Sequence, residues 1–165
     1  MANSKLGSYS TYKSKYVMNI DSARQLTPGD SGKLFFLDGT SASYMIHLPK
    51  LSANIIGWNC KMILDVAIAT SETIKIMAYG LPAVGGTSPT YVDAESIRYT
   101  EYARDGGAGG AYNHADGVQL NDGSVIGNSL IIHCGGAHAS TGLPAAWFID
   151  HKCATATDGG NVDTD

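Results

Sequence analysis

Apolar and polar residues alternate with a period of two along much of the chain, and turn residues punctuate the alternation. From Cys60, the side chains of Cys60, Met62, Leu64, Val66 and Ile68 fall on one face of an extended segment, with Lys61 and Asp65 on the other. That is the pattern of a half-buried strand. Thr73 to Tyr79 repeats it with Ile74, Ile76 and Ala78 in phase. Ser71-Glu72 suits a tight connection, so the two segments are expected to pair antiparallel. Between Leu26 and Pro49 the order is turn, strand, turn, strand. Leu26-Thr27-Pro28-Gly29-Asp30 is turn chemistry, Leu34 to Leu37 is a short apolar run, and Asp38-Gly39 is a second turn. Tyr44, Ile46 and Leu48 then alternate with Ser43, Met45 and His47 until Pro49 stops the strand, which predicts a hairpin.

Further on, Pro and Gly interrupt the segment Gly80 to Pro89, and Thr90 to Tyr102 offers one weakly alternating strand carrying Tyr91, Ile97, Tyr99 and Tyr102. A glycine-rich loop, Asp105 to Gly117, leads into Val118-Gln119-Leu120 and the turn Asn121 to Ser124. Ser129 to Cys134 and Ala145 to Lys152 supply two more strands. Turn signals at this spacing predict an all-β fold: a single, mostly antiparallel β-sandwich or jelly-roll-like domain over residues 20–154. Residues 1–19 are polar and carry Lys5, Lys13 and Lys15 with no acid, so they read as an extended basic N-terminal arm. Residues 155–165 form a polar, acidic tail with no apolar anchor except Val162; alone, it is expected to be disordered.

Composition agrees with strands and turns, since β-branched residues suit a pleated sheet while Gly, Asp and Asn suit the connections. A net charge of −4 argues against a nucleic-acid partner, which ordinarily requires a basic stripe. No apolar run approaches the roughly 20 residues that cross a bilayer, so no membrane partner is expected. The N-terminal segment has lysines but no apolar stretch of the kind that directs export, which predicts synthesis in a cytoplasm. Cys60, Cys134 and Cys153 are odd in number and widely spaced, and Cys60 and Cys134 stand at strand positions that suit small buried hydrophobes.

Several groups of residues invite a chemical reading. Gly29-Asp30-Ser31-Gly32 matches the nucleophile turn of trypsin-like serine proteases, but the required histidine and aspartate do not precede it, and a turn is the simpler account. Gly32-Lys33 lacks the Ser or Thr and the following helix of a phosphate loop. Asp105, Asn113 and Asp116 offer oxygen ligands to a hard cation. His133-Cys134 and His151-Lys152-Cys153 would approach zinc geometry only in a favourable register with a further ligand such as His138. His47 and His114 read as solvent-facing. No catalytic residue, metal or cofactor is expected from these patterns.

The stretch Leu26 to Pro49, LTPGDSGKLFFLDGTSASYMIHLP, resembles a segment of small virion proteins of tailed bacteriophages, found in capsid decorations and at the ends of tail fibres. In them a Leu-Thr, spacer, Asp-Ser-Gly turn leads into an apolar strand and a second strand closes with Leu-Pro. The likeness extends loosely over Cys60 to Ile76. It implies a non-enzymatic structural protein of the virion, made in the host cytoplasm: a decoration or cement protein on the capsid exterior. Its partner would be the major capsid protein, bound as a homotrimer. The arm residues Lys5, Tyr9, Tyr12, Lys13, Lys15 and Tyr16 are then the candidate contacts to an acidic shell. The alternative is a tail-associated receptor- or carbohydrate-binding module, with Tyr91, Tyr99, Tyr102, Tyr112 and Trp147 as stacking platforms.

Overall fold

A computed structural model describes residues 16–40, 42–81, 90–91, 97–101, 113–115, 117–136, 145–152 and 162–163. The strands in chain order are β1 (Val17–Ile20), β2 (Arg24–Gln25), β3 (Lys33–Asp38), β4 (Tyr44–His47), β5 (Asn59–Val66), β6 (Thr73–Met77) and β7 (Gly80–Leu81). They continue with β8 (Thr90–Tyr91), β9 (Ile97–Glu101), β10 (Asn113–Ala115), β11 (Gly117–Asn121), β12 (Ser129–Gly135), β13 (Ala146–Lys152) and β14 (Val162–Asp163). A seven-stranded sheet has the order β1-β3-β5-β12-β13-β9-β10, a five-stranded sheet the order β14-β11-β6-β4-β2, and β7 pairs with β8. The fold is all-β, as the alternation predicts.

Both sheets are mixed, which corrects the expectation of mostly antiparallel pairing. β1 lies parallel to β3 and β3 to β5, while β2 lies parallel to β4 and β4 to β6. The chain therefore crosses to the five-stranded sheet after β1, β3 and β5 and returns after β2 and β4, before antiparallel β11 and β12 close the wound part against β6 and β5. Neither expected hairpin exists: β3 and β4 stand in different sheets, and so do β5 and β6. The physical reason is that the connections roll the chain over. In a hairpin two strands bond side by side; here the connection is an arch, and the buried side chains of both strands join one apolar cluster. The run Leu34 to Leu37 divides between the two faces of β3: Phe35 and Leu37 are fully buried in the core, while Leu34 and Phe36 on the other face are half-buried.

The alternation itself is reproduced. Tyr44, Ile46 and Leu48 are buried, as are Cys60, Met62, Leu64 and Ile68, and Ile74, Ile76 and Ala78; Lys61, Asp65 and Met45 are exposed. One continuous core draws Phe35, Leu37, Met62 and Leu64 from the seven-stranded sheet and Ile46, Ile74, Ile76 and Leu120 from the other. Each fully buried side chain of this size contributes about 1.5 to 3 kcal/mol relative to exposure.

The arches stack on one another. The Gly39 N–H donates to the Val66 carbonyl at 3.2 Å and the Ala69 N–H to the Gly39 carbonyl at 2.9 Å. The Tyr44 hydroxyl shares its proton between the carbonyls of Ile20 and Asp38, at 3.1 and 3.0 Å, tying the first arch to the second. Glu72 accepts from the N–H and hydroxyl of Ser43, and Asp122 accepts from the Ser71 N–H at 3.1 Å. Ser71 holds a left-handed φ of 67° at the β5–β6 arch.

Two further differences concern the second half. The single strand expected over Thr90 to Tyr102 is two strands in different sheets, β8 and β9, with residues 92–96 outside the described residues. In the acidic tail, Val162 pairs with Val118 and Asp163 with Gly117, so β14 forms an edge of the five-stranded sheet.

Candidate functional site

The turn that the sequence singles out, Thr27 to Gly32, is built around one buried carboxylate. Asp30 is 4% exposed. Its Oδ2 accepts from the Thr27 N–H at 2.8 Å and from the Thr27 hydroxyl at 2.9 Å, and its Oδ1 accepts from Lys33 Nζ at 2.6 Å. Burial alone would raise the pKa of this group; the hydrogen bonds from Lys33 and Thr27 and the Lys33 charge outweigh it and hold the carboxyl below its ordinary value. Ser31 is exposed, and its Oγ accepts from the Asn59 N–H at 3.2 Å. Asp30 and Ser31 thus pin a short 3-10 turn, Pro28–Asp30, to its neighbours, as the turn reading expects.

A second cation completes the cluster. Arg24 reaches within 3.9 Å of Asp30, lies 6.0 Å from the centre of the buried Phe35 ring, and places Nη2 3.7 Å from the Met18 sulfur, which Lys33 Nζ also approaches at 3.6 Å. Register explains the grouping: Met18 pairs with Phe35 and Arg24 with Ile46, both core positions, so Met18 and Arg24 face inward from the first winding of the chain. Among the described residues no strand lies beyond that winding: β1 is the outer strand of the seven-stranded sheet and β2 of the five-stranded one, so both are edge strands there. Arg24 covers the apolar interior there through its stem and its cation–π contact. Two cations face one carboxylate, and Arg24 Nε is buried without a hydrogen-bond partner.

One of the predicted arm contacts, Tyr16, stands at the same edge. Tyr16 is 36% exposed and directly precedes β1; Lys5, Tyr9, Tyr12, Lys13 and Lys15 lie outside the described residues. Val17, Met18 and Asn19, the last residues of the 1–19 segment, belong to β1. Sequence reasoning missed Met18, Arg24 and Lys33. The available signal was parity: Arg24 shares it with Leu26, and Lys33 with Phe35 and Leu37.

Other candidate chemistry is dispersed. His133 pairs with Phe148 and His151 with Leu130, so the β12–β13 register sets the two histidines three positions apart along the ladder. Cys60 and Cys134 are buried, and burial followed by the nearby Asp30 charge pushes the Cys60 thiol up, away from nucleophilic use. His47 is half-buried with Nδ1 enclosed, where a solvent-facing position was expected. Trp147 is fully buried and edge-on to Trp58, which removes it as a sugar-stacking platform. The side chains of Tyr91, Tyr99, Asn113 and His114, and all of Tyr102, Asp105, Tyr112, Asp116, His138 and Cys153, fall outside what is described. A depression of about 310 Å³ beside the Thr27 turn is lined by Pro28, Ser31 and residues 54–58, none of them titratable. Among the described residues no group of His, Cys, Asp and Glu is placed to hold a metal, and no helix is long and apolar enough to cross a membrane. Compared with protein-family models, curated proteins and solved structures, the chain matches none of them.

Proposed function

We propose that this chain is a structural protein of a bacteriophage virion, a decoration or cement protein on the capsid exterior whose two sheets pack as a sandwich and whose basic arm grips the major capsid protein. The observation that carries the reading is where the residues next to the basic segment stand. That segment continues in sequence into β1, the outer strand of the seven-stranded sheet among the described residues, and β1 lies beside Arg24 and Lys33, two cations that face one carboxylate. Lys5, Lys13 and Lys15 extend that charge along the chain. An acidic shell surface would meet a continuous basic strip, with the tyrosines supplying contact area at low entropic cost.

The physical role is that of a clamp. Each copy buries modest surface across neighbouring shell subunits, and many copies act together, so weak contacts add through effective concentration and oppose expansion of the shell. No chemical step or cofactor enters. The Leu26 to Pro49 resemblance supports the same class.

The test uses the full chain with Lys5→Glu, Lys13→Glu and Lys15→Glu combined. Co-sedimentation with capsid shells lacking this protein should be lost, while circular dichroism stays that of the wild type. Undiminished binding by the triple variant refutes the arm as the gripping element. A specific response in a glycan-binding screen would favour the tail-module alternative.

A further inference from the structure

Among the described residues, the most exposed large apolar side chains are Ile126 at 57%, Ile56 at 52% and Val125 at 41%. Val125 and Ile126 lie in the connection from β11 to β12, and Ile56 in the connection from β4 to β5. The two places are opposite ends of one strand. Gly127 and Asn128 bond to Leu64 near the end of β5, whereas Gly57 and Trp58 directly precede its start. About six residues at 3.3 Å each, roughly 20 Å, separate them.

One end is a knob. The Asn128 N–H donates to the Val125 carbonyl at 2.9 Å, Gly127 has φ 93° and Ile126 is not among the positive-φ residues, so 125–128 is a type II turn with Ile126 at its tip. The Gly127 N–H donates to the Leu64 carbonyl at 2.8 Å and the Leu64 N–H to the Asn128 carbonyl at 2.9 Å, which fixes the turn on β5. The other end is a hollow. Ile56 lines the depression of about 310 Å³ together with Pro28, Ser31, Ile55 and Trp58, ample room for the side chain of an isoleucine. Its wall is fixed as well, since the Gly57 N–H donates to the Cys134 carbonyl at 2.9 Å and the Trp58 N–H to the Ile55 carbonyl at 2.8 Å. Charge differs between the ends. Connections 65–72 and 121–128 hold Asp65, Glu72 and Asp122 and no Lys, Arg or His. Around the hollow, residues 26–32 and 48–58 hold the exposed Lys50 and one carboxylate, Asp30, which is buried against Lys33.

We infer that copies of the chain associate head to tail, the Val125 and Ile126 turn of one seated in the hollow of the next, with the acidic connections of the first beside Lys50 of the second. Exposed apolar side chains mark contact surfaces, and two elements already held by backbone bonds lose little freedom on meeting. Unlike surfaces meet, so the contact is heterologous: each added copy leaves one knob and one hollow open for the next. Their place at opposite ends of β5 favours an open stack over a small ring. A single turn in a single depression is a small, reversible contact, below about 1,200 Å² in total. The inference is independent of the arm and of the shell.

Sedimentation velocity of the full chain over a wide range of micromolar concentrations tests it. The wild type should show dimers, trimers and longer species that grow with concentration. Ile126→Asp spoils the knob and Ile56→Asp the hollow, and each should raise the dissociation constant by about tenfold or more and sediment as monomer. An equimolar mixture of the two is the decisive sample. The knob of I56D fits the hollow of I126D while the remaining knob and hollow are both spoiled, so a 1:1 dimer and nothing larger should form. A merely structural role of either residue would not produce that capped dimer. Lys50 is exposed and outside the lining of the hollow, so Lys50→Glu, which should weaken association of the otherwise wild-type chain, carries the test should either isoleucine variant misfold. A wild type that stays monomeric, a closed dimer that does not grow, association indifferent to K50E, or a mixture that sediments as its two well-folded variants do separately would overturn the inference.

Discussion

Lys33 Nζ donates to Asp30 Oδ1 at 2.6 Å, and through that bond the first residue of β3 holds the carboxylate around which the preceding turn is wrapped. Asp30→Asn keeps the shape but leaves Lys33 and Arg24 facing an uncharged amide. Hydrogen bonds to charged groups contribute about 1.5 to 3 kcal/mol each, so a loss of about 2 to 3 kcal/mol is expected. Urea unfolding of the two proteins measures it, and a difference under half a kcal/mol would mean that the cluster is incidental to stability.

The same carboxylate gives the fold an acid-sensitive component. Its folded pKa is lowered, so its stabilisation is fully present above the ordinary aspartate range and is lost as pH falls through the lowered value. Asp38, bonded to the Thr40 hydroxyl and N–H, and Glu72, bonded to Ser43, are lowered as well and act in the same direction. Unfolding free energy measured from neutral pH downward should drop below about pH 4, the region where an unfolded aspartate takes up its proton. The drop should be shallower in Asp30→Asn.

Gly39 makes a different prediction. A Cβ built there would lie 2.5 Å from Ile68 Cα and 2.7 Å from the Ile68 nitrogen, atoms of the neighbouring arch that have no freedom to retreat. Gly39→Ala should cost on the order of 2 to 3 kcal/mol by overpacking, whereas alanine at the open Gly136 should be nearly neutral. Thermal melts of both variants check the contrast.

Trp58 and Trp147 stand edge to face, centroids 5.2 Å apart at 85°, and the Trp58 indole N–H donates to the Thr27 carbonyl at 3.1 Å. These are the only two tryptophans in the chain, so near-ultraviolet circular dichroism reports on this pair with little background from other indoles. Trp147→Ala should remove most of the tryptophan signal and cost about 3 to 5 kcal/mol. Trp58→Phe should also weaken the signal, at smaller cost.

Which residues are buried was legible in the sequence; which strands are neighbours was not. The faces of β4, β5 and β6 follow from alternation because every sheet imposes a period of two. That period is blind to whether the next strand lies alongside or across the core, and so two arches were read as hairpins. Asp38-Gly39 looks like a hairpin turn, yet Gly39 is absent from the positive-φ glycines, which are Gly32, Gly57 and Gly127 among the described residues. Glycine is needed at position 39 for closeness to Ile68, a property of tertiary stacking that local turn chemistry does not carry. Arg24 is harder to see for another reason: β2 has two residues, so the parity that Arg24 shares with Leu26 rests on a single pair of positions. The Gly29-Asp30-Ser31-Gly32 stretch is legible as a turn from its residue types alone, and a 3-10 turn stands there. The Lys33 and Thr27 bonds that explain its aspartate needed coordinates.

The winding of β1 through β6 also governs how the molecule must come together. Leu34 bonds alongside Lys61, and Tyr44 alongside Ile74, so a whole strand of the opposite sheet is synthesised between each pair of neighbours. No local ribbon can nucleate this half of the protein. High contact order makes collapse outrun correct pairing, and refolding should extend into the millisecond-to-second range. During that interval the apolar Leu34 to Leu37 run stays without its flanking strands, and a newly made chain depends on finding its own β5 before it finds another molecule's.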